Sequence, residues 1–580
     1  MTSPGTLPST PGPADGSAPA QEVTGTGAPP ARRMEGHAGA LAVAAARAHG
    51  VRAMFTLSGA HVFPLYDGAV KAEPALPIVD VRHEQTAVFA AEATAKLTRT
   101  PGLAVLTAGP GVTNGISAIA TAQVNGSPLL VVGGRAPAYR WGSGALQEFD
   151  HPPLLAPITK DAHTVTDPTR AAAEVSAALD LARSPHRGPV FLDVPMDVLF
   201  GGGEVELPEP APAAPVEPDP DALRAAAEAL ADARRPVLVL GSDVWSGHAE
   251  EAARALAEEF GLPTIPNGMA RGILPPGHRL LVSRARARAL RAADLVVVVG
   301  TPLDFRLGYG SFGGADGQPP ARVVHLGDGP GQLARHVELT AGVSGDLTLA
   351  LDGLRAAVAT RGLRAEVADW AGELRARHES ALAQDTGLLT AEADAIHPGR
   401  IYGELLAQLD DDAVVIGDGG DFVSFAGRFV EPARPGGWLD PGPFGCLGTG
   451  LGYAIAARLA RPSSQIVLLL GDGAAGFSLM DVDTLVRHGL PVVIVVGNNG
   501  MWGLEKFPMQ TLFGYDVAAQ LLPQTRYDQV VQALGGGGEL VTRPDGIGPA
   551  LRRAFAAGVP YCVNVVTDPE IAYPRNSTGI

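Results

Sequence analysis

The sequence predicts an α/β protein of three doubly wound parallel-sheet domains. Three observations predict it. Short runs rich in Val, Ile and Leu recur along the chain. Ala-rich segments of helical character separate them, and strands alternating with helices build parallel sheets. Two stretches interrupt the pattern: Gly201 to Pro220, dense in Pro, Gly and Glu, and a polar segment over 355–398. Length agrees, since 580 residues suit three or four domains of roughly 150 residues each.

The first block, 34–200, offers strands at Ala53–Leu57, Leu103–Thr107, Pro128–Val132 and Pro189–Asp193. The second, 221–354, offers Pro236–Leu240, Leu295–Val299 and Val323–Leu326. The third, 399–575, offers Ala413–Ile416, Gln465–Leu470, Pro491–Val496 and Tyr561–Val566. Residues 1–33, rich in Pro, Ala, Gly, Ser and Thr, read as a disordered tail with no signal peptide. Apolar residues make up 46%, enough for large cores. The net charge is −17 with no basic block, so nucleic acid is not an expected partner. No apolar run approaches the roughly 18–20 residues of a membrane span. Two cysteines, Cys446 and Cys562, cannot form a disulfide framework, and a reducing cytoplasm is the expected location.

One motif carries the most chemistry. The Gln465–Leu470 run ends at Gly471-Asp472-Gly473, and the Pro491–Val496 run ends at Asn498-Asn499. This puts a carboxylate and a carboxamide at the carboxyl ends of adjacent parallel strands, where open α/β sheets bind ligands. Oxygens from Asp, Asn and a loop carbonyl suit Mg²⁺, which shares its shell with phosphates. The glycines admit backbone N–H groups to a phosphate at a helix start. The spacing resembles the thiamine-diphosphate signature, GDG followed by NN. The three-block order resembles the thiamine-diphosphate decarboxylases and acetolactate synthases: a pyrimidine-binding domain, a middle domain and a diphosphate-binding domain.

That resemblance implies thiamine diphosphate and Mg²⁺, with Asp472, Asn499 and the carbonyl of Met501 on the metal. Gly473 and Ala474 then offer N–H groups. Arg82-His83-Glu84-Gln85 and Thr107 to Asn114 resemble the acetolactate synthase succession RHE…TSGPG.TN. Glu84 matches the family's single catalytic carboxylate, which faces the pyrimidine of the neighbouring subunit's cofactor. A homodimer or homotetramer is thereby implied. A carboxyl in an apolar site can share a proton in this way; without the metal motif, Glu84 would read as a surface residue. Gly442 to Gly450 resembles GLGTMGFG, so the carbonyl of Gly445 matches the acceptor of the cofactor's amino group and Leu447 the apolar wedge beneath it. Gly420 falls at a diphosphate-contacting position, beside Asp421, where the family carries Gln.

On the substrate side, His61 sits in a turn resembling P-G-G-A, Gln123 replaces a lining Phe, and Lys160 matches the family's TK. Lys160 or Arg135 would suit a 2-oxo-acid carboxylate, the bland alternative being an ordinary ion pair. Gln147-Glu148 match FQE, and Met196 replaces a Lys. Trp502 is a cleft candidate or a packed aromatic. Asp304 and Arg306 match the GARFDDR stretch of the flavin-containing synthases. Gly327 stands where their acidic residue is expected, which leaves FAD, ADP or CoA, or nothing, in the middle domain. Arg284, Arg286, Arg288 and Arg291 read as a solvated face or a nucleotide phosphate site. Gly476 to Thr484 resembles oxalyl-CoA decarboxylase and 2-hydroxyacyl-CoA lyase. The resemblance thus implies an acetolactate-synthase-like carboligase acting on a 2-oxo acid, with an acyl-CoA lyase or decarboxylase as the alternative. A non-catalytic cofactor-binding protein is a remoter one. No G-x-G-x-x-G with an acidic partner points to a nicotinamide enzyme.

Overall fold

A computed structural model describes residues 33–571, except 212, together with Tyr573. The tail read over 1–33 lies, but for Arg33, outside the described residues. The strands in chain order begin with β1 (Arg33–His37), β2 (Met54–Thr56), β3 (Ile78–Asp80), β4 (Gly102–Leu106), β5 (Leu129–Arg135), β6 (Asp161–Thr164), β7 (Pro189–Pro195) and β8 (Gly202–Glu206). The middle block carries β9 (Pro236–Leu240), β10 (Thr264–Pro266), β11 (Leu295–Val299), β12 (Arg322–Gly327) and β13 (Ala341–Ser344). The last block carries β14 (Val414–Asp418), β15 (Trp438–Leu439), β16 (Ile466–Gly471), β17 (Val493–Asn498), β18 (Gly537–Val541) and β19 (Tyr561–Val566).

Three parallel sheets result, in the orders β3-β2-β4-β5-β7-β6, β10-β9-β11-β12-β13 and β15-β14-β16-β17-β19-β18. The central strands β4, β5, β9, β11 and β17 are buried on both faces save for Arg135 at the end of β5, which is why they read as continuous apolar runs rather than alternating ones. Two stretches differ from their reading as linkers. Gly202–Glu206 pairs antiparallel with Arg33–His37, closing the two ends of the first domain on each other. The 355–398 segment carries the helix Glu366–Leu389, of which Val367, Trp370 and Leu374 are buried. Its anchors are too few for an apolar stripe, yet Trp370 Nε1 donates to the carbonyl of Pro236 at 3.1 Å.

The first and last domains meet through two helices, Glu84–Thr98 and Thr449–Ala460. The closeness comes from small residues: a Cβ on Gly452 would lie 2.7 Å from Phe89 Cβ. Phe89 and Tyr453 cross edge to face at 6.0 Å between ring centres. Beneath them lies wholly buried Glu92, bound by Lys96 Nζ (3.1 Å), Tyr453 Oη (2.8 Å) and Asn125 Nδ2 (2.8 Å). Among the described residues no helix is long and apolar enough to cross a membrane.

Candidate active site

β16 and β17 run side by side, pairing Gly471 with Gly497 at their carboxyl ends. Strand alternation then separates the two asparagines. Asn498 turns inward, its Nδ2 donating to Asn564 Oδ1 at 3.1 Å and to the Thr525 carbonyl at 3.0 Å. Asn499 faces a cavity of about 280 Å³. The same wall carries Gly420, Asp421, Gly445, Leu447, Asp472, Gly473, Ala474, Met501 and Trp502. Asp421 aside, nine sequence-predicted cofactor, metal and cleft residues therefore share one cavity, three of them, Gly420, Gly445 and Leu447, from loops distant in sequence.

The wall has a consistent electrostatic character. Three helices start on it: Asp421–Phe429, Asp472–Ser478 and Gly503–Phe513. Their N–H ends point partial positive charge at the cavity. The ionisable side chains on the wall are Asp421, Asp472 and Glu505, with no Lys or Arg among the lining residues. Asp472 is buried; Gly473 N–H donates to its Oδ1 at 3.0 Å and Gly500 N–H to its Oδ2 at 2.7 Å. Burial pushes its carboxyl up to about 6 against the pull of these bonds. Asn499 Oδ1 accepts from Met501 N–H at 3.2 Å, which fixes the amide's direction. These are hard oxygen donors in an acidic, helix-capped cavity. The set fits a divalent cation bridging to phosphate oxygens.

The segment after Asn499 folds down over the site. A Cβ on Gly473 would lie 2.5 Å from the Trp502 ring, and one on Gly420 would lie 2.5 Å from Leu504 Cδ1. Trp502 also meets Phe477 edge to face at 6.4 Å. Gly445 takes the left-handed conformation (φ 67°), turning the loop so that Leu447 reaches the cavity. One functional residue escaped the sequence reading. Asp418, wholly buried, accepts from Gly448 N–H (3.2 and 3.1 Å) and Gly450 N–H (2.8 Å), clamping the loop that carries Leu447. An acid directly before Gly419-Gly420 at a strand end was the available signal.

Glu84 is not on this wall. It opens the helix Glu84–Thr98, buried, with Asn114 Nδ2 donating to its Oε2 at 3.0 Å. His61 is buried beside Thr107 Oγ1 (3.2 Å), and burial pushes its imidazole down. Gln123 and Lys160 both abut Gly188, away from the cavity. Lys160 Nζ donates to the carbonyls of Leu181 (2.6 Å) and Ser184 (2.7 Å), closing a helix end, and burial pushes it down to about 8. Arg135 pairs with Asp193 and Asp150 and stacks on Trp141. Glu148 Oε2 accepts from Gly142 N–H at 3.1 Å within its own loop. Of the arginine run, Arg284 pairs with Asp385 at 2.6 Å and Arg288 with Glu373 at 3.1 Å.

A second cavity, of about 200 Å³, lies where the three domains meet. Arg306 lines it, paired with Asp304 at 2.7 Å. Asp328 supplies an acid one position past Gly327, but His186 Nδ1 holds its Oδ1 (2.9 Å) and Arg187 its Oδ2 (3.0 Å). A ribose in the dinucleotide manner needs a free carboxylate at this strand end. The residues present do not fit FAD held that way.

Comparison with known proteins agrees with this geometry. Family models match in three pieces: the thiamine pyrophosphate enzyme N-terminal TPP binding domain over 37–154, the central domain over 223–354 and the C-terminal TPP binding domain over 418–565. The chain is 50% identical to the acetolactate synthase large subunit IlvG of Mycobacterium tuberculosis, over 94% of this chain and 98% of that one. It is 35% identical to the mouse 2-hydroxyacyl-CoA lyase 2, over 87% of this chain and 85% of that one. With the motif, the three sheets and these matches in agreement, the chain belongs to the thiamine pyrophosphate enzymes.

Proposed function

We propose that the protein uses thiamine diphosphate and Mg²⁺ to decarboxylate a 2-oxo acid such as pyruvate and join the product to a second carbonyl. The carrying observation is the cavity at β16 and β17, acidic, free of Lys and Arg, and ringed by helix N-termini. When bound, thiamine diphosphate supplies the electron sink for the carbanion that loss of CO₂ creates. The chain supplies the rest. Asp472, Asn499 and the Met501 carbonyl hold Mg²⁺; N–H groups of Gly420, Gly473 and Ala474 hold phosphate oxygens. The Gly445 carbonyl accepts the cofactor's amino group and Leu447 props its rings. Glu84 moves the proton that activates the cofactor, in the cavity of a second copy. Its absence from the wall of its own chain's cavity supports that assignment, as do the exposed apolar side chains Phe444, next to Gly445, and Phe477, against Trp502.

Glu84→Gln should lower turnover of pyruvate by about 10²–10⁴-fold while thiamine diphosphate remains bound; unchanged turnover removes Glu84 from the reaction. Asp472→Ala should lose Mg²⁺ and cofactor together, and thiamine diphosphate surviving dialysis in that variant would refute the ligand set. The second reading is an acyl-CoA lyase. Its support is the mouse relative's name and the three-domain cavity, whose lining includes Lys96, Arg99, Arg187 and Arg306. Parallel assays with pyruvate and a 2-hydroxyacyl-CoA decide between them.

A further inference from the structure

The helix Asp472–Ser478 begins at the proposed metal ligand, and the 3₁₀ turn Leu479–Asp481 follows it without a break. Asp481, the last residue of that turn, is buried and does not line the cofactor cavity. It reaches across to the first domain instead. Its Oδ1 accepts from Arg82 N–H at 2.7 Å and its Oδ2 from Thr86 Oγ1 at 2.6 Å. Thr484 Oγ1 donates to the same Oδ1 at 3.1 Å. Glu84 lies between Arg82 and Thr86, at the first position of the helix Glu84–Thr98. One carboxylate thus holds the chain on both sides of Glu84. The grip continues outward: Arg487 Nη1 donates to both oxygens of Asp80 at 2.8 Å, and His488 Nε2 bonds one of them at 3.0 Å.

Burial pushes the Asp481 carboxyl up, against the pull of Thr86, Arg82 N–H and Thr484. Burying a carboxylate is costly unless it is hydrogen-bonded. Here both of its oxygens are committed to the turn that carries Glu84, and the positive end of the helix favours the charge there. The two supports of Glu84 divide the task. Asn114 Nδ2 orients the Glu84 carboxyl itself, at 3.0 Å; Asp481 fixes the backbone from which it projects. We propose that Asp481 is a positioning residue for Glu84. It belongs to the domain that binds one copy's cofactor, yet it sets the place of the acid that this copy lends to the other. This rests on the function proposed above, in which Glu84 acts in the cavity of a second copy. A group that exchanges a proton with a bound cofactor must be held closely, since a misplacement of about 1 Å costs about 10²-fold.

The test is complementation between variant copies, co-refolded in equal amounts with Mg²⁺ and thiamine diphosphate and assayed with pyruvate. Alone, Asp481→Ala should lower turnover about 10²-fold with thiamine diphosphate affinity unchanged. Mixed with Asp472→Ala, it should recover roughly a quarter of wild-type turnover, because one site of each mixed dimer joins a sound cavity to a well-placed Glu84. Mixed with Glu84→Gln, it should recover nothing, since both variants spoil the same contribution. Recovery with Glu84→Gln, or none with Asp472→Ala, overturns the proposal: Asp481 would then serve its own chain's cavity. Asp481→Asn, which keeps an acceptor for Arg82, should regain part of the turnover. Hydrogen exchange on the cofactor-free protein is the second readout. The Arg82 amide should exchange about tenfold faster or more in Asp481→Ala, and an unchanged rate overturns the proposal as well. Should Asp481→Ala not fold, Thr86→Val, which removes one of the two anchors, goes through the same mixtures. Should wild type leave pyruvate untouched, or Glu84→Gln and Asp472→Ala fail to complement each other, the function proposed above fails, while the Arg82 exchange still decides whether Asp481 holds the turn.

Discussion

Asp418 shows how one side chain sets conditions for the site. Its carboxylate is wholly buried, takes backbone N–H bonds from Gly448 and Gly450, and forms no ion pair among the described residues. Burial pushes it up to about 7, against the pull of those bonds. A carboxyl whose folded pKa lies above its unfolded value binds its proton more tightly when folded. It therefore contributes most to stability below about pH 4 and loses that contribution as pH rises to about 7, a change on the order of 4 kcal/mol. Urea unfolding of wild type and Asp418→Asn from pH 4 to 8 should show wild type losing ground to the variant across this window. A constant difference would show that Asp418 is not the source. What such a residue does was only partly legible beforehand. Asp472 and Asn499 announce themselves because strand, turn and glycines are contiguous in sequence. Asp418 clamps a loop thirty positions on, and the pairing of Arg284 with Asp385 spans 101. Whether a charge is paired, as on Arg284, is a property of neighbours that only the fold supplies.

At the level of elements, the contact between helices Glu84–Thr98 and Thr449–Ala460 is mainly apolar but encloses the Glu92–Lys96–Tyr453 cluster. Glu92 is wholly buried and Lys96 only 11% exposed. Glu92→Gln leaves the ammonium unpaired in a desolvated place and should cost about 3–5 kcal/mol in urea unfolding. Glu92→Gln combined with Lys96→Met removes both charges and should recover most of it. A double variant no better than the single one would mean the charges act separately. The long central strands were legible because their apolar runs are unbroken. β3, β6, β10 and β13 were not, being short or half-polar. The helix Glu366–Leu389 was hidden because few of its positions are buried.

At the scale of the whole molecule, the absence of Glu84 from the lining of its own chain's cavity leads to a mixing experiment. Glu84→Gln and Asp472→Ala are each expected to be inactive. If sites form between two copies, a mixed dimer contains one site with both wild-type groups. Co-refolding the two in equal amounts should restore roughly a quarter of wild-type turnover, given random C₂ pairing. No recovery, with dimers demonstrated by light scattering, would place both residues in one chain's site.

The wall of that cavity also has a thermodynamic consequence. It offers carboxylates and helix ends but no cationic side chain. A diphosphate arriving alone meets like charge; a cation arriving alone lacks the phosphate oxygens that complete its shell. Each ligand supplies what the other is missing, so their binding is one linked equilibrium. By reciprocity, the factor by which the proposed Mg²⁺ would tighten the cofactor equals the factor by which the cofactor would tighten Mg²⁺. How much of the enzyme is loaded thus follows the product of two concentrations, and scarcity of either silences it.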